Sequence, residues 1–98
     1  MAKFGEIISS SSPTLIDFFN ENNEDNVEIQ HILNNVAAAL GDKAKVIKID
    51  VSKNTDLVDA LRIKGTPTFI IYKNGEMRWR QSGEQDANTL INLVEQFV

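Results

Sequence analysis

The sequence predicts an α/β domain: a central mixed β-sheet with helices on both faces. Three observations carry that reading. Thr14 to Phe19 is a continuous, mostly apolar run of strand length, as expected of a strand buried on both sides. Strand-like and helix-like segments then alternate as far as Arg62, the pattern of parallel strands joined through helices. Beyond them Asn74-Gly75 separates two further strand-length segments. Both residues tolerate positive φ, so the dipeptide suits a tight hairpin and adds an antiparallel pair.

Each element has its own signal. Phe4, Ile7 and Ile8 fall at helical spacing and predict a short first helix, which Ser9-Ser10-Ser11-Ser12-Pro13 ends. Nothing basic or histidine-bearing accompanies the serines, which therefore read as a turn or linker rather than a modified or catalytic segment. From Glu24, the positions Ile29, Ile32, Leu33, Val36, Ala37 and Leu40 recur at spacings of three and four, tracing the stripe of the longest helix, which Gly41 is suited to end. Ala44 to Val51 reads as a second buried strand, and Thr55 to Arg62 as a short helix with Leu57, Val58 and Leu61 facing inward. Pro67 to Lys73 and Glu76 to Ser82 form the hairpin arms. Ala87, Leu90, Ile91, Val94 and Phe97 mark a closing helix from about Asp86. Trp79 alternates with Arg78 and Arg80, so the indole is expected on one face, packed under a helix, and both guanidiniums on the other.

Composition removes several classes of function. The 98 residues make one domain, 1–98, because so short a chain closes a single core. No apolar run approaches the roughly 18 residues of a membrane span. A net charge of -4 is opposite to the electrostatic footprint of a nucleic-acid binder. The first residues lack a basic start followed by a long apolar stretch, so no secretory signal is visible and the cytoplasm is the expected compartment. Most telling, the chain has no cysteine. That excludes disulfides, thiolate zinc sites, iron–sulfur clusters and thiol catalysis by its own residues.

Ile16-Asp17-Phe18-Phe19, Lys48-Ile49-Asp50-Val51, Gly65-Thr66-Pro67-Thr68, Lys73-Asn74-Gly75-Glu76 and Gly83 stand in the order and spacing of the thioredoxin family, which the chain resembles over nearly its whole length. The resemblance implies a thioredoxin fold. It also implies that Asn22-Asn23-Glu24-Asp25-Asn26 stands where the family has Trp-Cys-Gly-Pro-Cys, so that Asn23 and Asn26 occupy the former dithiol positions. Carboxamides form no thiolate, and the intervening acids would raise a thiol's pKa in any case. Helix capping by Asn22 or Asn23, with Glu24 and Asp25 at the positive helix end, accounts for the loop at a few tenths to about 1 kcal/mol each. Glu21, Glu24, Asp25 and Glu28 offer oxygen ligands without an adjacent base, but the run lacks the Asp-x-Asp-x-Asp-Gly spacing of a calcium loop. No metal or cofactor is expected.

Asp17 and Lys48 match the buried carboxylate and neighbouring lysine of the family. A structural Asp17–Lys48 pair is expected, since a carboxylate in an apolar strand needs compensation or a raised pKa. The resemblance further implies a cis Thr66-Pro67 bond, with Thr66 presenting its backbone to an extended peptide. The expected function is that of a redox-inactive module binding a protein or peptide through Asn22, Asn23, Glu24, Asp25, Asn26, Thr66, Pro67 and the turn at Gly83. It is expected to be a monomer or weak homodimer. Three alternatives stand beside it: an oxidoreductase in fold alone, a non-thiol enzyme using Asp17, the lone His31 or Glu24-Asp25, and an adaptor that dimerises through the hairpin edge or the Trp79 face.

Overall fold

The apolar run at Thr14–Phe19 becomes β1, with Thr14 to Phe18 buried. The computed structural model, which describes residues 4–23 and 26–98, sets β1 inside a four-stranded sheet. Numbering the other strands β2 (Lys45–Asp50), β3 (Thr68–Lys73) and β4 (Glu76–Ser82), the order is β2-β1-β3-β4. β1 runs parallel to β2 and antiparallel to β3, and β3 turns back into β4. Asn74 and Gly75 make that turn with φ of 55° and 81°, as a tight hairpin requires.

Four helices cover the sheet: α1 (Phe4–Ile8), α2 (Asn26–Leu40), α3 (Thr55–Leu61) and α4 (Ala87–Glu95). Because successive strand side chains point to opposite faces, β1 and β3 feed two separate cores. Leu15, Phe69 and Ile71 meet Ile29, Leu33 and Val36 of α2 and Leu90 and Val94 of α4. Ile16, Phe18, Ile70 and Tyr72 meet Ile63, with Phe4 of α1 and Leu57 and Leu61 of α3 packed against them. The mixed sheet with helices on both faces is the arrangement expected from the sequence. Among the described residues, no helix is long and apolar enough to cross a membrane.

Two expectations need correction. β2 is an edge strand, with Lys45 and Lys48 exposed, rather than a buried central one. Its apolar side chains are only half-buried, Ile47 and Ile49 against the α1/α3 cluster and Val46 against the α2/α4 cluster. The second correction concerns β4. Ile71 stands opposite Trp79 but Tyr72 opposite Met77, which leaves Arg78 as an extra residue in a bulge. The bulge breaks the alternation and separates the two arginines. Arg78 lies over the Phe97 ring, 5.4 Å from its centroid, while half-buried Trp79 packs on the α2/α4 cluster. Arg80 instead donates from Nη1 to the Leu61 carbonyl at 2.6 Å and from Nη2 to the Arg62 carbonyl at 2.9 Å. It thereby satisfies carbonyls at the end of α3, where Arg62 turns left-handed at φ 56°.

These contacts rank the two arginines. Arg80→Met is expected to cost about 1–2 kcal/mol in urea unfolding, since it strips two charge-assisted bonds from a helix end. Arg78→Met, which loses only a surface cation–ring contact, is expected to stay within about 0.5 kcal/mol. The reverse ranking would show that the clamp on α3 is not a stabilising contact.

Candidate functional site

The chain leaves β1 through a turn built from its own asparagines. Asn20 Oδ1 accepts the Asn22 N–H at 3.0 Å, the Asn20 carbonyl accepts the Asn23 N–H at 3.0 Å, and the Asn23 carbonyl accepts the Asn26 N–H at 3.1 Å. A short carboxamide that bonds the backbone two residues on is a common way to tighten such a turn. The expected capping of α2 by Asn22 or Asn23 depends on the two residues before Asn26, where the described part of the helix begins. Glu24 and Asp25 lie outside the described residues.

Asn23 and Asn26, the two former dithiol positions, have separate partners. Asn23 Nδ2 donates to Thr66 Oγ1 at 3.3 Å, across 43 residues of sequence. Asn26 Oδ1 accepts from Gln30 Nε2 at 3.1 Å, one turn along α2. The Thr66-Pro67 peptide facing Asn23 is cis. Its position is held from behind: the Gly83 N–H donates to the Pro67 carbonyl at 2.9 Å, and Thr68 Oγ1 donates to the Gly65 carbonyl at 2.6 Å. Gly83 takes φ 98°, a left-handed conformation that favours glycine. It supports Pro67 rather than lining the site.

Between the asparagine turn and the Thr66-Pro67 loop lies a shallow cleft, too narrow to enclose a water-sized sphere. Phe19, Ile29 and Pro67 give it apolar walls, and Asn20, Asn23, Asn26 and Thr66 a polar rim. Val27 is 67% exposed at the start of α2. Phe19, Asn20 and Ile29 went unrecognised as site residues in the sequence. For Asn20 a signal existed, an Asn beginning an asparagine-rich turn directly after a strand. The cleft offers hydrogen-bond donors and acceptors but no nucleophile paired with a base.

Asp17 is completely buried, and neither of its carboxyl oxygens has a hydrogen-bond partner. Lys48 is its register partner on β2, as the pairing requires. However, Lys48 is exposed, and no ion pair within 4.0 Å joins the two. The expected buried pair is thus a buried acid beside a solvated base. β2 lies at the sheet edge, so the long lysine stem carries the ammonium into water while the short aspartate stem cannot follow. Burial pushes the Asp17 carboxyl up from 3.8 to about 7, and the Lys48 charge draws it only part of the way back. Glu21 meets Lys53 Nζ at 3.7 Å, a contact with both side chains largely in water and hence of little energetic weight. His31 is exposed on α2.

The buried acid makes stability depend on pH. Unfolded, Asp17 loses its proton near 3.8, and folded near 7, so between those values the folded state holds the extra proton. Stability should therefore fall as pH rises from about 4, the loss being complete above about 7. At about 1.4 kcal/mol per pKa unit the charged form costs on the order of 4 kcal/mol. Asp17→Asn is expected to stabilise the chain by about that much at pH 8 and to change it little at pH 4, measured by urea unfolding. An equal difference at both pH values would show that the carboxyl does not titrate in this window.

Comparison with known proteins gives the arrangement a lineage. The thioredoxin family model matches residues 1–96. A rice chloroplastic thioredoxin Y is 38% identical over 95 residues, which cover 96% of this chain and 56% of the rice protein. A Rickettsia felis thioredoxin is 27% identical, with 95% of this chain and 89% of the relative covered. Among solved structures, chloroplastic thioredoxin z superposes with a TM-score of 0.82 at 31% identity, covering 93% of this chain and 82% of the other. A point-mutant thioredoxin of Halobacterium salinarum does so with a TM-score of 0.86 at 26% identity, covering 99% and 84%. The chain spans about half the length of the plant relatives. With the family model matched almost from end to end and a four-stranded mixed sheet in place, this chain belongs to the thioredoxin family.

Proposed function

We propose that the chain is a redox-inert member of its family, a binding module that holds an extended segment of a protein partner across the cleft between the asparagine turn and Thr66-Pro67. One observation carries this reading: the cleft persists with carboxamides at both former dithiol positions. Thiol–disulfide exchange proceeds through a thiolate attacking a sulfur, and no residue here forms one.

Other features support the same reading. Among the described residues, neither the N–H nor the C=O of Thr66 is engaged in a backbone hydrogen bond, and Thr66 is half-exposed. Those groups are free to pair with an extended chain, a mode of recognition in which main-chain bonds give affinity and neighbouring pockets give selectivity. The apolar walls and exposed Val27 favour a partner that brings an apolar side chain. Having no thiol, the domain is indifferent to redox poise, and would work in the cytoplasm as well as in a plastid of the kind named for the rice relative.

The test is an affinity capture from lysate with the native chain beside Thr66→Arg, read by quantitative mass spectrometry. Arginine at the rim should fill the small cleft and deplete true partners by about tenfold or more, a loss of roughly 1.4 kcal/mol. Identical proteins on both baits would reject the cleft as the binding site. In a disulfide-reduction assay with dithiothreitol as the electron source, the chain is expected to give no turnover above the protein-free rate. Turnover that scales with the chain would overturn redox inertness.

A further inference from the structure

We infer that the outer edge of β2 is a second docking surface, which takes an extended segment of a partner protein whose acidic residues fall opposite Lys45 and Lys48 and whose apolar residues fall opposite Ile47 and Ile49. β2 pairs with β1 on one side, and among the described residues no strand pairs with the other. The outward N–H and C=O groups of an edge strand are a template for an added strand. A groove of about 270 Å³ runs beside this edge between α1 and α3, walled by Phe4, Ile7, Ile47, Ile49 and Leu57. It shares no lining residue with the Thr66-Pro67 cleft.

The occupant follows from shape and charge. A strand added to β2 places its side chains alternately over the two faces of the sheet. On one face its neighbours are Lys45, Ile47 and Ile49, and on the other Val46 and Lys48. Lys45 and Lys48 are exposed, and neither has an ionic partner within 4.0 Å among the described residues, in a chain whose net charge is -4. An acid beside Lys45, apolar residues beside Ile47 and Ile49, and an acid beside Lys48 therefore complete the edge. Asp50, the one acid lining the groove, has Oδ1 bonded to the Ser52 N–H at 2.9 Å and to Ser52 Oγ at 2.8 Å. The apolar residues of the occupant belong at that end, away from its charge. A second copy fits less well. Two-fold pairing of β2 with itself would gather the lysines of both strands and set one concave groove against another.

The test uses two dye-labelled synthetic peptides with the same isoleucines, one carrying the order Glu-Thr-Ile-Glu-Ile and the other with lysine in place of each glutamate. Binding is followed by fluorescence anisotropy and amide shifts. The glutamate peptide is expected to bind about tenfold more tightly than the lysine peptide, with shifts at Lys45 to Asp50 and weakening in high salt. In the chain carrying both Lys45→Glu and Lys48→Glu, exposed positions whose change should leave the circular dichroism spectrum intact, the preference should reverse. The inference is overturned if neither peptide binds, if the native chain prefers neither, or if the double variant keeps the native preference. It is equally overturned if the shifts fall at Asn23 and Thr66 instead, or if light scattering shows a dimer that Ile47→Lys dissociates.

Discussion

The burial of β1 on both faces is the constraint on which the rest of this structure depends. A strand with no solvent face must have a strand on each side and a helix layer above and below, because its backbone groups and both rows of side chains all need partners. β2 and β3 supply the first, and the α2/α4 and α1/α3 clusters the second. The geometry of the cleft follows directly. β1 runs out of the core at Phe19, the chain turns on Asn20, and α2 starts at Asn26, so the asparagine turn is held against the Thr66-Pro67 loop by elements committed to the core. A partner meeting this cleft meets a pre-organised surface, with little ordering left to offset on binding.

The same constraint explains the least comfortable residue in the molecule. Any polar side chain in β1 is driven into apolar surroundings, and Asp17 is there with both oxygens unpartnered. A buried acid with a raised pKa often marks acid–base chemistry. Here it has no reactive group to serve, since the former dithiol positions are carboxamides and the nearest register partner turns its charge to water. Family membership and thiol chemistry thus separate within one chain. The scaffold that presents a site is retained, while the groups that would do thiol chemistry are gone.

How legible these features are in the sequence depends on whether the governing interaction is local. β1, the hairpin turn and α4 are legible because an apolar run, a residue pair tolerant of positive φ and an amphipathic stripe are each written within a few residues. Asp86 even caps α4 as position alone suggests, accepting the Thr89 N–H at 2.7 Å. β2 misleads, since apolar content alone does not separate a strand at the centre of a sheet from one at its edge when α1 and α3 cover one of its faces. The direction of Lys48 is likewise set by that edge position. The Arg78 bulge is invisible for another reason: it depends on the register against β3, which no stretch of β4 encodes alone. At the candidate site, the sequence points to Asn23, Thr66 and Pro67 but not to their contact, which joins positions 43 residues apart.

The two surfaces differ in what they would select. Among the described residues the cleft presents carboxamides and a hydroxyl above apolar walls, so these discriminate by shape and by the direction of hydrogen bonds. The β2 edge lies beside a wider apolar groove and bears a lysine on each face. Exposed edge strands are a hazard to any soluble chain, and lysines on them are a common safeguard against pairing with identical edges. Charge that repels a copy of the same strand also attracts a strand of the opposite sign. Lys45 and Lys48 can therefore do both with no change in conformation: they keep this edge from joining its own kind and leave it open to an acidic partner, which makes selectivity at β2 a consequence of how the sheet protects itself.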